Sequence, residues 1–248
     1  MVCARLDHAL VATEGQLAAV SPTLTHVAVI IPALNEAESL PYVLSDMPSV
    51  GAVFVVDNGS TDGTADISRS HGARVIFEPS KGYGNACKAG IKEAADSGFE
   101  VVVILDGDHS FNPQEMERLV TPILMDEADM VLGDRTQSAE RGAITFPQRF
   151  GNMVATQLIH AASGFRYRDM GPFRAIRTSS LLNMQMRDPN YGWNVEMQLK
   201  AIRLGYRVIE IPVTCRNRVA GQSKISGSLR SALRCGLKMM WSTLRYAR

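Results

Sequence analysis

The sequence predicts an α/β protein built on an open, mostly parallel sheet with helices packed on its faces. Three observations support this. Apolar runs of strand length alternate with helix-period segments from residue 26 to about residue 135. The runs are continuously apolar rather than alternating, as strands covered on both faces are. Most of them end in acids, amides or turn residues, at the edge of such sheets where ligands collect.

Residues 1–25 are weakly patterned and read as a leader. Val27–Ile31 is the first apolar run, stopped by Pro32. Asn35 and Glu36 open a helical pattern that continues through Leu40, Val43, Leu44 and Met47. Ala52–Val56 is a second strand ending at Asp57, and Ser60, Thr61 and Asp62 offer capping chemistry for a helix that stops near Gly72. Val75–Phe77 is a third strand, and Tyr83–Ser97 an alanine-rich helix closed by Gly98. Val101–Leu105 is the next strand, and it runs straight into Asp106, Gly107 and Asp108. Asn112, Pro113 and Glu115 make a strong helix start: a capping amide, proline at the first position, and an acid three residues past the cap. Met116, Leu119, Val120, Ile123 and Leu124 continue that helix, and Asp129–Gly133 is a further strand leading to Asp134 and Arg135. The second half is less regular, with helices over Phe150–Ala162 and Trp193–Leu204 and a strand over Tyr206–Ile211. No repeat or low-complexity linker divides the chain, so one compact domain is expected.

Composition narrows the function. With 46% apolar and 21% charged residues the chain is neither disordered nor fibrous. No apolar run approaches the roughly 18–20 residues a membrane-spanning helix needs, and residues 1–20 lack the order of a secretory signal. The cysteines at 3, 87, 215 and 235 are not at metal-ligand spacing, which predicts reduced thiols in a cytosolic compartment rather than a zinc site. A net charge of +1 argues against a nucleic-acid partner. That total hides an asymmetry: no acid follows Glu210, yet Arg216, Arg218, Lys224, Arg230, Arg234, Lys238, Arg245 and Arg248 do. A segregated basic end suggests an anionic partner, such as phosphate or a membrane surface, as against a merely solvated basic helix. Residues 228–248 read as one helix, with Leu229, Leu233, Leu237, Met240, Trp241 and Leu244 as an apolar stripe and basic residues opposite. Such a helix lies in a membrane interface, or packs its stripe on the domain or on a second copy of the chain.

The most informative trio is Asp106-Gly107-Asp108. Two carboxylates flanking a small residue at a strand end can share a hard divalent cation that bridges to phosphates; the plainer reading is a capped turn. Lys81-Gly82-Tyr83-Gly84 resembles a dinucleotide fingerprint only superficially, because the third glycine would have to be Cys87 and the motif lies outside the first β-α turn. Its glycines still let backbone approach a ligand, with Lys81 supplying charge near phosphates.

Together, IPALNEAESL, VVDNGSTDGT, KGYGNACKAG and ILDGDHSFNPQEM, in this order and spacing, resemble the nucleotide-sugar half of family 2 glycosyltransferases with the GT-A fold. The later GDR, GPFRAIR, YGWNVEMQLKA, GYRVIEIPV and RVAGQSKISG resemble the branch that includes dolichyl-phosphate mannose synthase and bacterial polyprenyl-phosphate glycosyltransferases. The likeness spans about residues 26–227, taken as the catalytic domain, and leaves 228–248 as a basic amphipathic helix. It implies an inverting, metal-dependent enzyme with a nucleoside diphosphate sugar as donor and a polyprenyl phosphate as acceptor, working at the cytosolic face of a membrane. Pro32, Ala33, Asn35, Glu36 and Asp57 would hold base and ribose, with Lys81 close by. Asp106 and Asp108 would bind Mg²⁺ or Mn²⁺ around the donor diphosphate. Arg135 and Arg174 would contact phosphates, and Arg216, Arg218, Ser223 and Lys224 match the loop that closes over the diphosphate.

Departures from the family pattern carry information too. A second acid after the second strand is Asn58 here, and a further metal ligand after the Asp pair is Ser110, beside His109. The position of a catalytic base falls on Asn194, with an acid retained at Glu196. A phosphate acceptor is already ionised and needs no base, whereas a hydroxyl acceptor does. Asn194 therefore favours phosphate, with Glu196 as the base for the alternative of a soluble hydroxyl acceptor and a salt bridge as its non-catalytic reading. Tyr191 and Trp193 either stack on a sugar or pack the core. An inactive nucleotide-sugar-binding scaffold is the non-enzyme alternative, against which the intact charged residues argue.

Overall fold

The computed structural model describes residues 23–190, 192–219 and 245. Seven strands form one sheet: β1 (Val27–Ala33), β2 (Ala52–Asp57), β3 (Arg74–Phe77), β4 (Val101–Ile104), β5 (Met130–Asp134), β6 (Arg174–Arg177) and β7 (Val208–Pro212), in the order β3-β2-β1-β4-β6-β5-β7. All pairings are parallel except those of β6, which runs antiparallel to both its neighbours. The helices are α1 (Leu40–Ser45), α2 (Thr64–Ser70), α3 (Tyr83–Asp96), α4 (Met116–Leu124), α5 (Phe146–Ser163), α6 (Thr178–Asn183) and α7 (Trp193–Arg203).

Successive residues of a strand point to opposite faces, and here both faces are covered. Ile30, Phe54, Val56, Val102 and Ile104 face a core completed by Ala86 and Ile91 of α3, Ile159 of α5, and Trp193 and Leu199 of α7. Val29, Ile31, Val55, Val101 and Val103 face the other core, with Leu40 and Val43 of α1 and Met116, Leu119 and Ile123 of α4. Burial on both faces is why these strands read as unbroken apolar runs. Trp193 is fully buried and serves the core.

Three departures from the expected elements have local causes. β1 continues through Pro32 to Ala33. The Leu105 N–H donates to Ile30 O at 3.0 Å, and the ladder to β4 ends at Ile104, so Pro32's missing N–H costs no sheet bond. Helix α5 begins at Phe146, four residues before its expected start, because Thr145 and Gln148 form a reciprocal capping box with Pro147 beside it. β6 and α6 were not expected: Arg174-Ala-Ile-Arg177 has charge at both ends and only two apolar residues. Residues 1–22 of the expected leader, the expected C-terminal helix (228–248) apart from residue 245, Tyr191, Ser223 and Lys224 lie outside the described residues. No helix among the described residues is long and apolar enough to cross a membrane.

Candidate active site

Strands β1 and β4 are adjacent, but the chain moves outward from β1 through β2 to β3 and then returns on the far side with β4. Their parallel carboxyl ends diverge at this switch point and open the crevice in which such sheets bind ligands. Ala33, Asp57 and Asp106 all stand at this edge. Antiparallel β6 brings Arg174, paired with Ile104 and Leu132, to the same edge from the opposite direction.

Two loops build one wall. Asn35 adopts a left-handed backbone (φ 52°) that suits its short polar side chain. Its N–H donates to Ser60 Oγ at 2.9 Å, and its Oδ1 accepts the Thr61 N–H at 2.8 Å. The Glu36 N–H donates to Thr64 Oγ1 and the Ala37 N–H to Asp62. Burial pushes the Asp62 carboxyl up, but bonds from Thr64 and Ala37 outweigh it and leave it below its ordinary value. Asp57 accepts the Ser60 N–H at 2.8 Å, and Ser39 Oγ donates to Gly107 O at 2.7 Å, tying this wall to the Asp pair.

Asn58 holds a second wall in a way only an amide can. Its Nδ2 donates to the carbonyls of Glu78 and Ser80, both at 2.9 Å, and its Oδ1 accepts the Gly82 N–H at 2.6 Å. That clip presents Lys81, whose Cε approaches the turn at Gly59. Gly82 has φ 135°, and a Cβ there would meet Pro189 O, so the clip rests directly on the loop before α7.

Between the walls lie the charges. Asp108 Oδ2 pairs with Arg218 at 2.8 Å, while its Oδ1 accepts both the N–H and the hydroxyl of Ser110. Burial first, and the Asp108 charge second, push the Asp106 carboxyl up to about 7 against the pull of Arg218 and Arg135, and Glu36 adds to the rise. Glu36, Asp106, Asp108, Arg135 and Arg218 therefore form one electrostatic cluster. Tyr83 Oη donates to Asp106 at 3.4 Å. Arg135 is held by a bidentate pair with Asp169, at 2.7 and 2.8 Å, with the Arg135 N–H on the same carboxylate. The Arg216 N–H donates to Ser110 O at 2.8 Å, which brings the 215–218 segment over the cluster. His109 turns away to Asp46 at 2.8 Å.

Two expected site residues are wholly buried. Arg174, at the edge to which β6 brings it, donates to the carbonyls of Gly171 and Pro172 and touches the Met197 sulfur. Burial pulls its pKa below the usual arginine value. Glu196 is also wholly buried. It accepts the N–H groups of Arg187 and Asp188 at 2.8 and 2.6 Å and pairs with Lys200 at 2.7 Å. Both oxygens of this carboxylate are thus engaged with the loop before α7 and with Lys200, the arrangement of the salt-bridge reading. Asn194 likewise uses its amide on Met170 O. Sequence reasoning missed Asp169 and Tyr83. Asp169 lies 34 residues from its arginine partner, a distance at which no spacing rule operates, and Tyr83 was visible as the opening residue of a helix and as the spacer between Gly82 and Gly84, neither of which marks a partner for Asp106.

The family model described as "Glycosyl transferase family 2" matches residues 28–187. An uncharacterized glycosyltransferase of Mycobacterium tuberculosis is 36% identical over 209 residues, covering 84% of this chain and 93% of that protein. An undecaprenyl-phosphate mannosyltransferase of Micrococcus luteus is 30% identical over 236 residues, covering 87% and 96%. Among solved structures, glucosyl-3-phosphoglycerate synthase from Mycobacterium tuberculosis, in complex with Mn²⁺, UDP-glucose and phosphoglyceric acid, superposes with a TM-score of 0.71 at 23% identity, covering 89% of this chain and 79% of that one.

Proposed function

This chain belongs to glycosyl transferase family 2 and is a GT-A glycosyltransferase, and on that premise we propose that it transfers a sugar from a nucleoside diphosphate sugar to a polyprenyl phosphate with inversion. The observation that carries the acceptor is the sealed environment of Glu196 with an amide at Asn194: neither side chain offers a base. A phosphate monoester needs none. One of its ionised oxygens attacks the anomeric carbon from the face opposite the diphosphate; the new C–O bond forms as the old one breaks, and the nucleoside diphosphate leaves with its electron pair. The likeness to an undecaprenyl-phosphate mannosyltransferase supports the same acceptor class.

The residues fit a divalent cation. Asp106 and Asp108 are hard oxygen donors crowded enough that their repulsion helps hold a proton on Asp106 to about pH 7, a charge excess that a hard cation relieves. Asp106 and Asp108 would hold Mg²⁺ or Mn²⁺, which supplies Lewis-acid neutralisation of the leaving diphosphate. Arg135, fixed in orientation by Asp169, places a guanidinium beside that charge, Arg218 already pairs with Asp108, and Arg216 is tied there by its N–H to Ser110 O. Asn35, Glu36 and Asp57, with the backbone of Pro32 and Ala33, form the wall for base and ribose, and Lys81 lies next to them. Gly107, between the two acids, packs close to Ile31 and Leu40, where a Cβ would come within 3.2 and 3.4 Å of them.

The test is incubation of the enzyme with radiolabelled sugar nucleotides, Mn²⁺ and undecaprenyl phosphate in detergent. Label entering the organic phase is the expected result; transfer confined to soluble hydroxyl acceptors overturns the acceptor reading.

A further inference from the structure

Residues 168–170 lie outside every helix and strand, in the stretch between α5 and β6, and Asp169 and Met170 are buried. Backbone taken out of water must still pair its polar groups. Here side chains do so throughout. The N–H groups of Arg168 and Asp169 donate to Glu210 of β7 at 2.9 and 3.1 Å. The Met170 N–H donates to Asn152 Oδ1 of α5 at 2.8 Å, and Asn152 Nδ2 returns to Arg168 O at 3.2 Å. From α7, Gln198 donates to Asp169 O at 3.0 Å and Asn194 to Met170 O at 3.4 Å. All three N–H groups and all three carbonyls thus end on side chains of three separate elements.

What this cradle presents is the Asp169 carboxylate, whose two oxygens hold Arg135. Burial pushes that carboxyl up, but the bonds from Arg135 and the Met170 N–H outweigh it and leave it below its ordinary value. Gly171 lets the segment lie against β5: a Cβ there would stand 2.7 Å from Gly133 O and 3.0 Å from Asp169 Oδ2. A two-point pair transmits orientation, so fixing the backbone under Asp169 fixes the plane of the Arg135 guanidinium. Asn194 stands where the family pattern has a base, and its amide serves this backbone instead.

We propose that Glu210, Asn152, Gln198 and Asn194 are positioning residues for glycosyl transfer: they lock the 168–170 backbone so that Asp169 aims Arg135 at the phosphate charge of the reaction. They act through Arg135 rather than on substrate. The inference deepens the proposed reaction and rests on it for the target of Arg135 alone; the cradle does not depend on which acceptor is used.

Two measurements on the full chain test it. Nitrogen-15 arginine labelling reads Arg135 directly, through the Nε–H signal that Arg135→Lys removes. That proton is expected to be protected from solvent exchange in the wild type and to lose about tenfold or more of its protection in Asn152→Ala and Glu210→Ala. Glu210→Gln should restore it, because its carbonyl still accepts both N–H groups. In detergent with a sugar nucleotide and undecaprenyl phosphate, Asn152→Ala should lower kcat about tenfold or more with little change in donor KM. In an Arg135→Ala background it should lower kcat no further. A side chain that only stabilised the fold would lower the melting temperature and leave both the Nε–H signal and the kcat of the folded enzyme in place. Should Glu210→Ala not fold, Asn194→Ala removes a single bond and carries the same expectations. Loss of protection in the variants of an enzyme that transfers nothing to undecaprenyl phosphate sustains the cradle and sinks the acceptor assignment alone. An Arg135 signal indifferent to these substitutions, an unchanged kcat, or losses that multiply in the Arg135→Ala background would each overturn the proposal.

Discussion

Glu196 shows how a residue in the right place for catalysis can be spent on structure. Its carboxylate closes the 187–192 loop by accepting two backbone N–H groups and a lysine. Glu196→Gln should therefore lower the melting temperature while leaving turnover within about tenfold, against the 10²–10⁴-fold loss expected for removal of a general base. A hundredfold drop in kcat at unchanged stability would restore it as the base. Glu210 gives a residue-scale pH prediction. Burial pushes its carboxyl up to about 7, opposed by the N–H groups of Arg168 and Asp169 and reinforced by Asp134 and Asp169. A folded-state value above the unfolded one means that the folded chain holds the extra proton between about pH 4.5 and 7. This contribution is complete below the lower value and is lost as pH rises through 7. Melting temperatures recorded from pH 5 to 8 should fall on this account, and Glu210→Gln should flatten the slope.

At the scale of elements, Asn58 replaces an acid expected from the family pattern, and the geometry gives the reason. Its amide donates to two carbonyls at once, which a carboxylate cannot do. Asn58→Asp should cost about 1–3 kcal/mol in urea denaturation by setting a charge against those carbonyls; an unchanged midpoint would mean that the clip is not held this way. The same scale shows what was legible beforehand. β1, β2 and β4 could be read because burial on both faces leaves unbroken apolar runs, and α4 because Asn112, Pro113 and Glu115 form the capped 3₁₀ turn that leads into it at Met116. β6 could not be read: four residues flanked by arginines carry no period, and its antiparallel place between β4 and β5 is a tertiary choice. The start of α5 was available in Thr145 and Gln148. The acids at the strand ends were legible because strand ends are local; the burial of Arg174 and Glu196 depends on how β6 and α7 pack, and was not.

Over the whole molecule, the crevice is assembled from segments far apart in sequence: 33–37, 57–64, 78–85, 106–110, 135 and 215–218. A donor that touches several of them should stabilise the fold by mass action, about 2.7 kcal/mol at a hundred times its Kd. A thermal-shift panel of nucleotide sugars with Mn²⁺ should give an upward shift for the true donor and none for Mn²⁺ with unrelated nucleotides. No shift with any nucleotide sugar would count against the crevice as the donor site. The pairing of Arg218 with Asp108 bears on how such a titration reads. The resting chain already supplies a counter-ion to Asp108, so a divalent ion loading the proposed Asp pair would exchange with a guanidinium rather than fill a vacancy. Its measured affinity would then be the difference between two partnerships, and the exchange would release Arg218 to meet a diphosphate. On the proposed reading, cation entry and the arming of an anion clamp would be one thermodynamic event.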